Sequence, residues 1–230
     1  MKTIQYILVF LAATLALAAS FTKMNDVHDE YLREGPIIYI GRVDSMKVFS
    51  GDNRVQVQYW ITDPRAKELC FYWNNHKDSA KFSVPAHDPI EMQTLLIDPV
   101  AEGDYTFQVF SYDGKGHRSI RFEQPFSSYG EVYASTLNTR SVVSATVQDE
   151  ALSISWGNSF STLEVGIEVR YTGKDGAGKT LFVPTEELKG ATVIADADLS
   201  RPVSYRTAYK PNEDAIDIFY SVEKIIPLPE

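Results

Sequence analysis

The sequence predicts an all-β protein made of two successive β-sandwiches. Three observations support this fold class. From residue 36 onward, short segments of alternating apolar and polar residues end at Gly, Pro, Asn or Asp, no helical period interrupts them, and the pattern recurs after about 100 residues. With 230 residues, 44% of them hydrophobic, the chain is long enough to build two small cores.

The segment EGDYTFQVFSYDGKGHRS, residues 102–119, is the clearest single strand in the sequence. Tyr105, Phe107 and Val109 alternate with more variable positions, and a Gly103-Asp104 turn precedes them. An aromatic strand entered through such a turn resembles the sixth strand of an immunoglobulin-like sandwich of the fibronectin type III kind. Tyr105 then takes the place of the corner tyrosine, which bonds back to the main chain.

The first sandwich is predicted over residues 36–128. Its earlier strands are expected at residues 43–49, 54–61, 69–74, 80–84 and 92–97, separated by turns such as GDN and DP. In the second of these strands Val55, Val57 and Tyr59 share one face, so Tyr59 is a predicted core residue.

The second sandwich is predicted over residues 129–230, after a boundary within FSSYGEVY at residues 126–133. Leu152, Ile154 and Trp156 repeat the alternation of the first sandwich. Residues 165–172 repeat the strand at 69–73, and the strand that contains Tyr205 repeats the one at Tyr105. Trp156 and Tyr205 are therefore predicted core residues, and the internal repeat indicates tandem domains.

The first 19 residues have the pattern of a signal peptide. Lys2 is followed by an uncharged apolar run from Ile7, and Ala16-Leu17-Ala18 is a cleavage pattern. Export to the periplasm, the outer membrane or the cell surface is expected. The alternative is an uncleaved anchor, although the run is short for a bilayer span. Residues 20–35 are expected to form a tether or a short helix.

The net charge bears on the classes of partner, and the cysteine content bears on the source of stability. The net charge of −9 disfavours nucleic acid as a partner because its phosphates would be repelled. Cys70 is the one cysteine, so no internal disulfide is expected and stability must come from the cores. It lies in an apolar strand with no neighbouring His or Lys, which favours a structural role over a reactive thiol.

The segment GKDGAGKT, from Gly173 to Thr180, matches a phosphate-binding loop letter for letter. In such a loop Lys179 would contact phosphates, and a helix would have to follow. Here LFVP follows instead and continues as a strand. The segment is therefore predicted to be a hairpin turn, with no bound nucleotide and no cofactor.

No catalytic residue is predicted. The four histidines, His28, His76, His87 and His117, form no HxxxH pair, no GxSxG is present, and no metal site is expected. An enzyme with two carboxylates that meet only in the folded chain remains an alternative.

Strand parity points to a binding surface. If Tyr105 and Cys70 face the core, then Phe71, Trp73, Phe110 and Tyr112 line the outer face of one sheet of the first sandwich. Trp73 is the strongest candidate of the four. The corresponding outward positions of the second sandwich are not aromatic: Glu168, Arg170, Arg206 and Ala208. Aromatic platforms bind sugar rings and proteins alike. Alternatively, this face packs against another part of the chain.

Four segments resemble a family of Bacteroidota envelope proteins, domain of unknown function 4998: residues 23–55, FYWNN, GDYTFQVFSYDGKGHRS and AIDIFY. The resemblance implies tandem fibronectin type III-like domains, which in this family are often joined to carbohydrate-binding modules of the discoidin type. It also implies a lipoprotein, but Ser20 stands where the lipidated cysteine would be, so lipidation is not expected. The resemblance supplies no catalytic residues.

The predicted function is a non-catalytic, exported binding or adhesion module of the cell envelope, with a glycan or an envelope protein as partner. A structural spacer between envelope components is the main alternative. Contact with the membrane is expected only through the N-terminal segment, if it is uncleaved.

Overall fold

The computed structural model describes residues 38–86, 88, 91–159 and 161–228. The signal peptide predicted at residues 1–19, the tether at 20–35, Ser20, His28 and His87 lie outside the described residues. Both sandwiches described below fall within one compact unit that begins at Ile40.

The first seven strands form two antiparallel sheets. Their strands are β1 (Ser45–Ser50), β2 (Val55–Trp60), β3 (Glu68–Trp73), β4 (Asp78–Ser83), β5 (Gln93–Ile97), β6 (Gly103–Tyr112) and β7 (Phe122–Ser128). One sheet has the order β1-β2-β5 and the other β4-β3-β6-β7. The fourth strand thus joins the sheet of the third, which is the fibronectin type III arrangement.

The same topology recurs in the second half of the chain. Its strands are β8 (Val142–Gln148), β9 (Ala151–Trp156), β10 (Glu164–Thr172), β11 (Gly178–Pro184), β12 (Thr192–Ile194), β13 (Ser204–Tyr209), β14 (Phe219–Tyr220) and β15 (Lys224–Ile225). The sheets have the orders β12-β9-β8 and β11-β10-β13-β14, with β15 also paired to β13. The predicted fold class, two fibronectin type III-like sandwiches, is confirmed. The domain limits at residue 128 stay a prediction.

Each sandwich has its own hydrophobic core, built by the alternation seen in the sequence. Val55, Val57 and Tyr59 point inward from β2 and are buried. In the second sandwich Trp156 and Tyr205 are buried with their rings 5.1 Å apart. The indole N–H of Trp156 donates to Thr192 Oγ1 at 2.8 Å. The core roles predicted for these residues are therefore confirmed.

The two strand-entry tyrosines make different bonds. The hydroxyl of Tyr105 donates to the carbonyl of Glu102, three residues upstream, at 3.4 Å. This is the predicted corner contact, but the hydrogen bond is longer than usual. The hydroxyl of Tyr205 donates instead to the carbonyl of Arg140 at 2.9 Å. Tyr205 therefore ties β13 to the segment that enters the second sandwich.

One short helix, α1 (Glu131–Thr136), follows the first sandwich, although the sequence pattern predicts none there. Gly130 provides no side-chain cap. The carboxylate of Glu102 accepts the main-chain N–H groups of Val132 and Tyr133 at 2.8 and 2.7 Å. A distant acidic residue thus caps the helix, and hydropathy along the chain cannot reveal such a cap. In the described part of the chain, no helix has the length and apolarity needed to cross a membrane.

Candidate functional site

The outward orientation predicted for Phe71 and Trp73 is wrong. Their side chains are 0% and 6% exposed and belong to the core of the first sandwich. Phe71 pairs with Val109 in the sheet, so both face inward. Every residue from Leu69 to Trp73 is apolar or aromatic, and such a run does not reveal by itself which parity faces the core.

Phe71 and Trp73 pack at the centre of the first core instead. Both pack edge-on against Phe107, with ring centroids 5.3 Å away for Phe71 and 5.6 Å away for Trp73. Phe126 stacks on the same Phe107 ring at 3.9 Å. Phe71 and Trp73, predicted as ligand contacts, are therefore packing residues of the core.

Phe110 and Tyr112 do lie on the outer face, as predicted, and both are half-buried. The aromatic neighbour that β3 supplies is Tyr72, whose ring centroid is 6.2 Å from that of Phe110. Arg118 lies over the Phe110 ring at 5.3 Å. We call Tyr72, Phe110 and Tyr112 the outer aromatic surface.

A cavity of about 300 Å³ adjoins this surface at Tyr72. His76 Nε2 lies 2.6 Å from Gln108 Oε1 on its wall, and the rings of Tyr72 and His76 are 5.1 Å apart. Asn74, Asn75 and His76 have φ values of 50°, 53° and 63°, in the left-handed region. Such a conformation costs free energy in non-glycine residues, although asparagine adopts it comparatively often.

Cys70 lies on the same outer face, between Glu68 and Tyr72, yet its side chain is buried. Burial raises the pKa of the thiol to about 11, and the hydrogen bond to Glu68 adds to the increase. Since the thiolate is the reactive form, the chemistry of this site agrees with a structural role.

The corresponding face of the second sandwich carries charges that are paired with one another. Glu168 Oε1 accepts from Nε of Arg170 at 2.7 Å and from Nε of Arg206 at 2.9 Å. Arg206 also lies 3.5 Å from the centroid of the Tyr220 ring. Ala208, predicted to face outward on this sheet, is fully buried. This face therefore combines paired charges with two rings, that of Tyr220 and that of Phe182, which pairs with Glu168 in the sheet.

The segment with the phosphate-loop pattern is a β-hairpin turn, as predicted. It joins β10 to β11, and no helix follows it. Lys179 Nζ lies 3.0 Å from Asp175 Oδ2 and 2.7 Å from Asp196 Oδ2. The lysine that a nucleotide would need is thus held by two carboxylates.

The described histidines do not cluster. His76 contacts Gln108, and His117 Nδ1 lies 2.6 Å from Asp113 Oδ2. The hydrogen bond from His117 lowers the pKa of Asp113 to about 2. Within residues 38–86, 88, 91–159 and 161–228, no group of three or more His, Cys, Asp or Glu residues is placed to hold a metal ion.

The structure also reveals a contact between the sandwiches that the sequence did not predict. Arg54 and Asp217 form a two-point ion pair, with Nε–Oδ2 at 2.9 Å and Nη2–Oδ1 at 2.6 Å. The N–H of Asp52 also donates to Asp217 Oδ2 at 2.8 Å, and the N–H of Ile216 donates to the carbonyl of Ser50 at 2.9 Å. The hydrogen bond from Arg54 holds the pKa of Asp217 below its usual value.

An aromatic cluster extends this contact. The ring of Tyr133, in α1, lies 4.9 Å from that of Tyr129 and 5.1 Å from that of Phe219. At Gly51 an added Cβ would lie 2.5 Å from Asp217 Oδ2, so the close approach needs a residue without a side chain. We call the Arg54–Asp217 pair and this aromatic cluster the joint. AIDIFY contributes Asp217 and Phe219 to it, but only the fold shows their partners.

A larger cavity, of about 500 Å³, lies in the second sandwich beside α1. Its wall contains the ion pair of Arg140 and Glu164, with Nη1–Oε1 at 2.6 Å and side chains that are 8% and 2% exposed. No sequence pattern predicts this cavity, because its residues come from α1, two loops, β10 and β13.

Comparisons with known proteins found two similar solved structures and one matching family model. A structure of the FN1–FN3 domains of chicken CNTN1 has 13% identity and a TM-score of 0.43, covering 83% of this chain and 66% of that one. A two-domain fibronectin type III segment of chicken tenascin has 13% identity and a TM-score of 0.32, covering 80% of this chain and 98% of that one. A search of curated proteins gives no significant match. The family model DUF4998, a domain of unknown function, matches residues 22–219, and the protein therefore belongs to that family.

Proposed function

We propose that the protein is a non-catalytic scaffold of the cell envelope in which the joint holds two fibronectin type III-like sandwiches in a fixed relation. The observation that carries this proposal is the two-point bond between Arg54 and Asp217. Export rests on the N-terminal pattern of Lys2, the apolar run and the Ala16-Leu17-Ala18 segment.

The contacts favour a stiff pair over two domains on a flexible linker. Few contacts normally cross between domains that move independently. Here a bidentate charge pair, two hydrogen bonds donated by main-chain N–H groups and three packed rings act together. Bidentate Arg–carboxylate pairs fix orientation as well as distance.

Distance measurements between spin labels test the proposal. Labels on cysteines introduced at Ser79 and Thr146, both exposed, report the relation of the sandwiches, while buried Cys70 stays unlabelled. We expect one narrow distance distribution, which broadens when Arg54→Ala and Tyr133→Ala are combined. Arg121→Ala removes an arginine that precedes β7 and pairs with Glu123 of that strand, and it serves as the matched control. A broad distribution in the otherwise unchanged protein would contradict the proposal.

The second candidate function is adhesion through the outer aromatic surface, with a glycan or an envelope protein as the partner. Tyr72, Phe110 and Tyr112 favour it because three partly exposed aromatic side chains are carried by adjacent rigid strands. Rings of this kind stack on sugars and pack against protein side chains. The cavity at Tyr72 adds the polar groups of His76 and Gln108.

A glycan array tests this candidate with Tyr72→Ala/Phe110→Ala. Trp73→Ala is unsuitable, since it opens the core. The matched control is Phe182→Ala, which removes an aromatic ring that is 41% exposed on the second sandwich. Saturable binding that is lost in the double variant and kept in the control supports a glycan partner. Absence of binding by the unchanged protein excludes the glycans tested and leaves the scaffold proposal intact.

A further inference from the structure

We propose that the cavity beside α1 is a binding site for one neutral sugar ring. We call it the Arg140 pocket and define it by six of the residues that line it: Tyr133, Asn138, Arg140, Asn158, Glu164 and Tyr209. Its volume of about 500 Å³ falls in the range of small-molecule sites. The site is separate from the outer aromatic surface, which lies on the first sandwich.

The charges of the pocket select a neutral ligand. Arg140 and Glu164 are both buried, and their charges compensate each other across 2.6 Å. Arg140 Nε also donates to the carbonyl of Gly157. A phosphate or a carboxylate would need a cation that is free to pair with it, and an amine would need a free carboxylate. The arginine and the glutamate of this pocket are already committed to each other.

The remaining wall combines hydrogen-bonding and apolar groups. Asn138 and Asn158 are exposed amides, which can donate and accept at once, as ligand hydroxyls require. Tyr133 and Tyr209 contribute aromatic carbon on the same wall. A sugar ring presents hydroxyls around its edge and C–H groups on its faces, so its chemistry matches both kinds of surface.

The wall is held in place by bonds that do not depend on a ligand. The hydroxyl of Tyr209 donates to the carbonyl of Asn138 at 2.7 Å, and Tyr209 itself is 7% exposed. The N–H of Arg140 donates to Thr207 Oγ1 at 2.8 Å. A site fixed in this way loses little conformational entropy when it binds.

Saturation-transfer NMR on the full chain tests the proposal. The probes are glucose, galactose, mannose and N-acetylglucosamine, each offered free and as the terminal unit of an oligosaccharide. We expect at least one sugar to bind. Asn158→Trp should weaken that binding at least about 10-fold, because indole fills the pocket. Thr146→Trp, at an exposed position of β8, is the matched control and should bind as before.

Further outcomes decide the source of the sugar and the identity of the site. Equal binding of the free and terminal forms indicates a free sugar, and tighter binding of the oligosaccharide indicates a glycan end. Tyr72→Ala/Phe110→Ala should leave this binding unchanged, which separates the pocket from the outer aromatic surface. If Asn158→Trp fails to fold, Asn158→Ala should still reduce affinity several-fold. The proposal is overturned if none of the four sugars binds or if both Asn158 variants bind as well as the unchanged protein.

Discussion

Arg54 and Asp217, 163 positions apart in the chain, meet in a two-point ion pair that joins the first sandwich to the second. Arg54 lies between β1 and β2, and Asp217 lies between β13 and β14. Their side chains are 39% and 17% exposed, so water screens the pair only in part.

Acid should loosen the joint through Asp217. Its pKa is lowered in the folded chain, mainly by the hydrogen bond from Arg54, so the ionised form stabilises the fold above about pH 4. That stabilisation is lost as the pH falls through the lowered folded-state value. We expect the spin-label distance distribution to broaden in this acidic range. In Asp217→Asn it should already be broader at neutral pH and change less with acid, and equal acid dependence in both proteins would contradict the assignment.

Replacing Trp73 should damage stability far more than replacing its neighbour Tyr72. Trp73 is 6% exposed and packs on Phe107, so Trp73→Ala should lower the free energy of unfolding by about 3–5 kcal/mol. Tyr72 is half-buried on the outer face, and Tyr72→Ala should cost clearly less. Urea unfolding of the two variants measures the difference. Equal losses would show that the outer ring also belongs to the core.

The two strand-entry tyrosines should respond differently to loss of the hydroxyl. Tyr205→Phe removes a 2.9 Å bond to Arg140 and should lower the free energy of unfolding by about 1 kcal/mol. Tyr105→Phe removes a 3.4 Å bond and should cost less. Thermal melts of the two variants measure both effects. A larger loss of stability for Tyr105→Phe than for Tyr205→Phe would contradict this prediction.

Cys70 should resist alkylation in the folded protein. Burial raises the pKa of its thiol to about 11, so little thiolate exists near pH 8, and the side chain is also inaccessible. We expect iodoacetamide to modify Cys70 readily in urea and hardly at all without it, as followed by intact-mass spectrometry. Rapid modification of the folded chain would indicate an opening of β3 that exposes the thiol.

The fold could be predicted because its signals are local. Alternation at Val55, Val57 and Tyr59 marks a strand with one buried face, and the GKDGAGKT segment has a strand on both sides. These patterns depend on residues that are close in sequence. They predict the strands and the hairpin turn correctly, and this prediction does not require knowing which strands are neighbours in the sheets.

The functional surfaces could not be predicted as well, because they depend on pairing between distant residues. Leu69 to Trp73 offer apolar side chains on both faces of β3, and only the pairing of Phe71 with Val109 decides which face is inside. Nothing in the sequence around Asp217 distinguishes it from other acidic residues, and only the fold shows that it pairs with Arg54. The same holds for Glu102, which caps a helix about 30 positions away.

The close approach at Gly51 and the pairing at Asp217 bear on how such a chain can be recombined. Exchanging either sandwich for another of the same topology would leave Arg54 or Asp217 without its opposite charge and would uncover the rings of Tyr129, Tyr133 and Phe219. An unpaired, partly buried charge is costly. A gene rearrangement that moves both sandwiches together therefore keeps these contacts, whereas one that moves a single sandwich loses them.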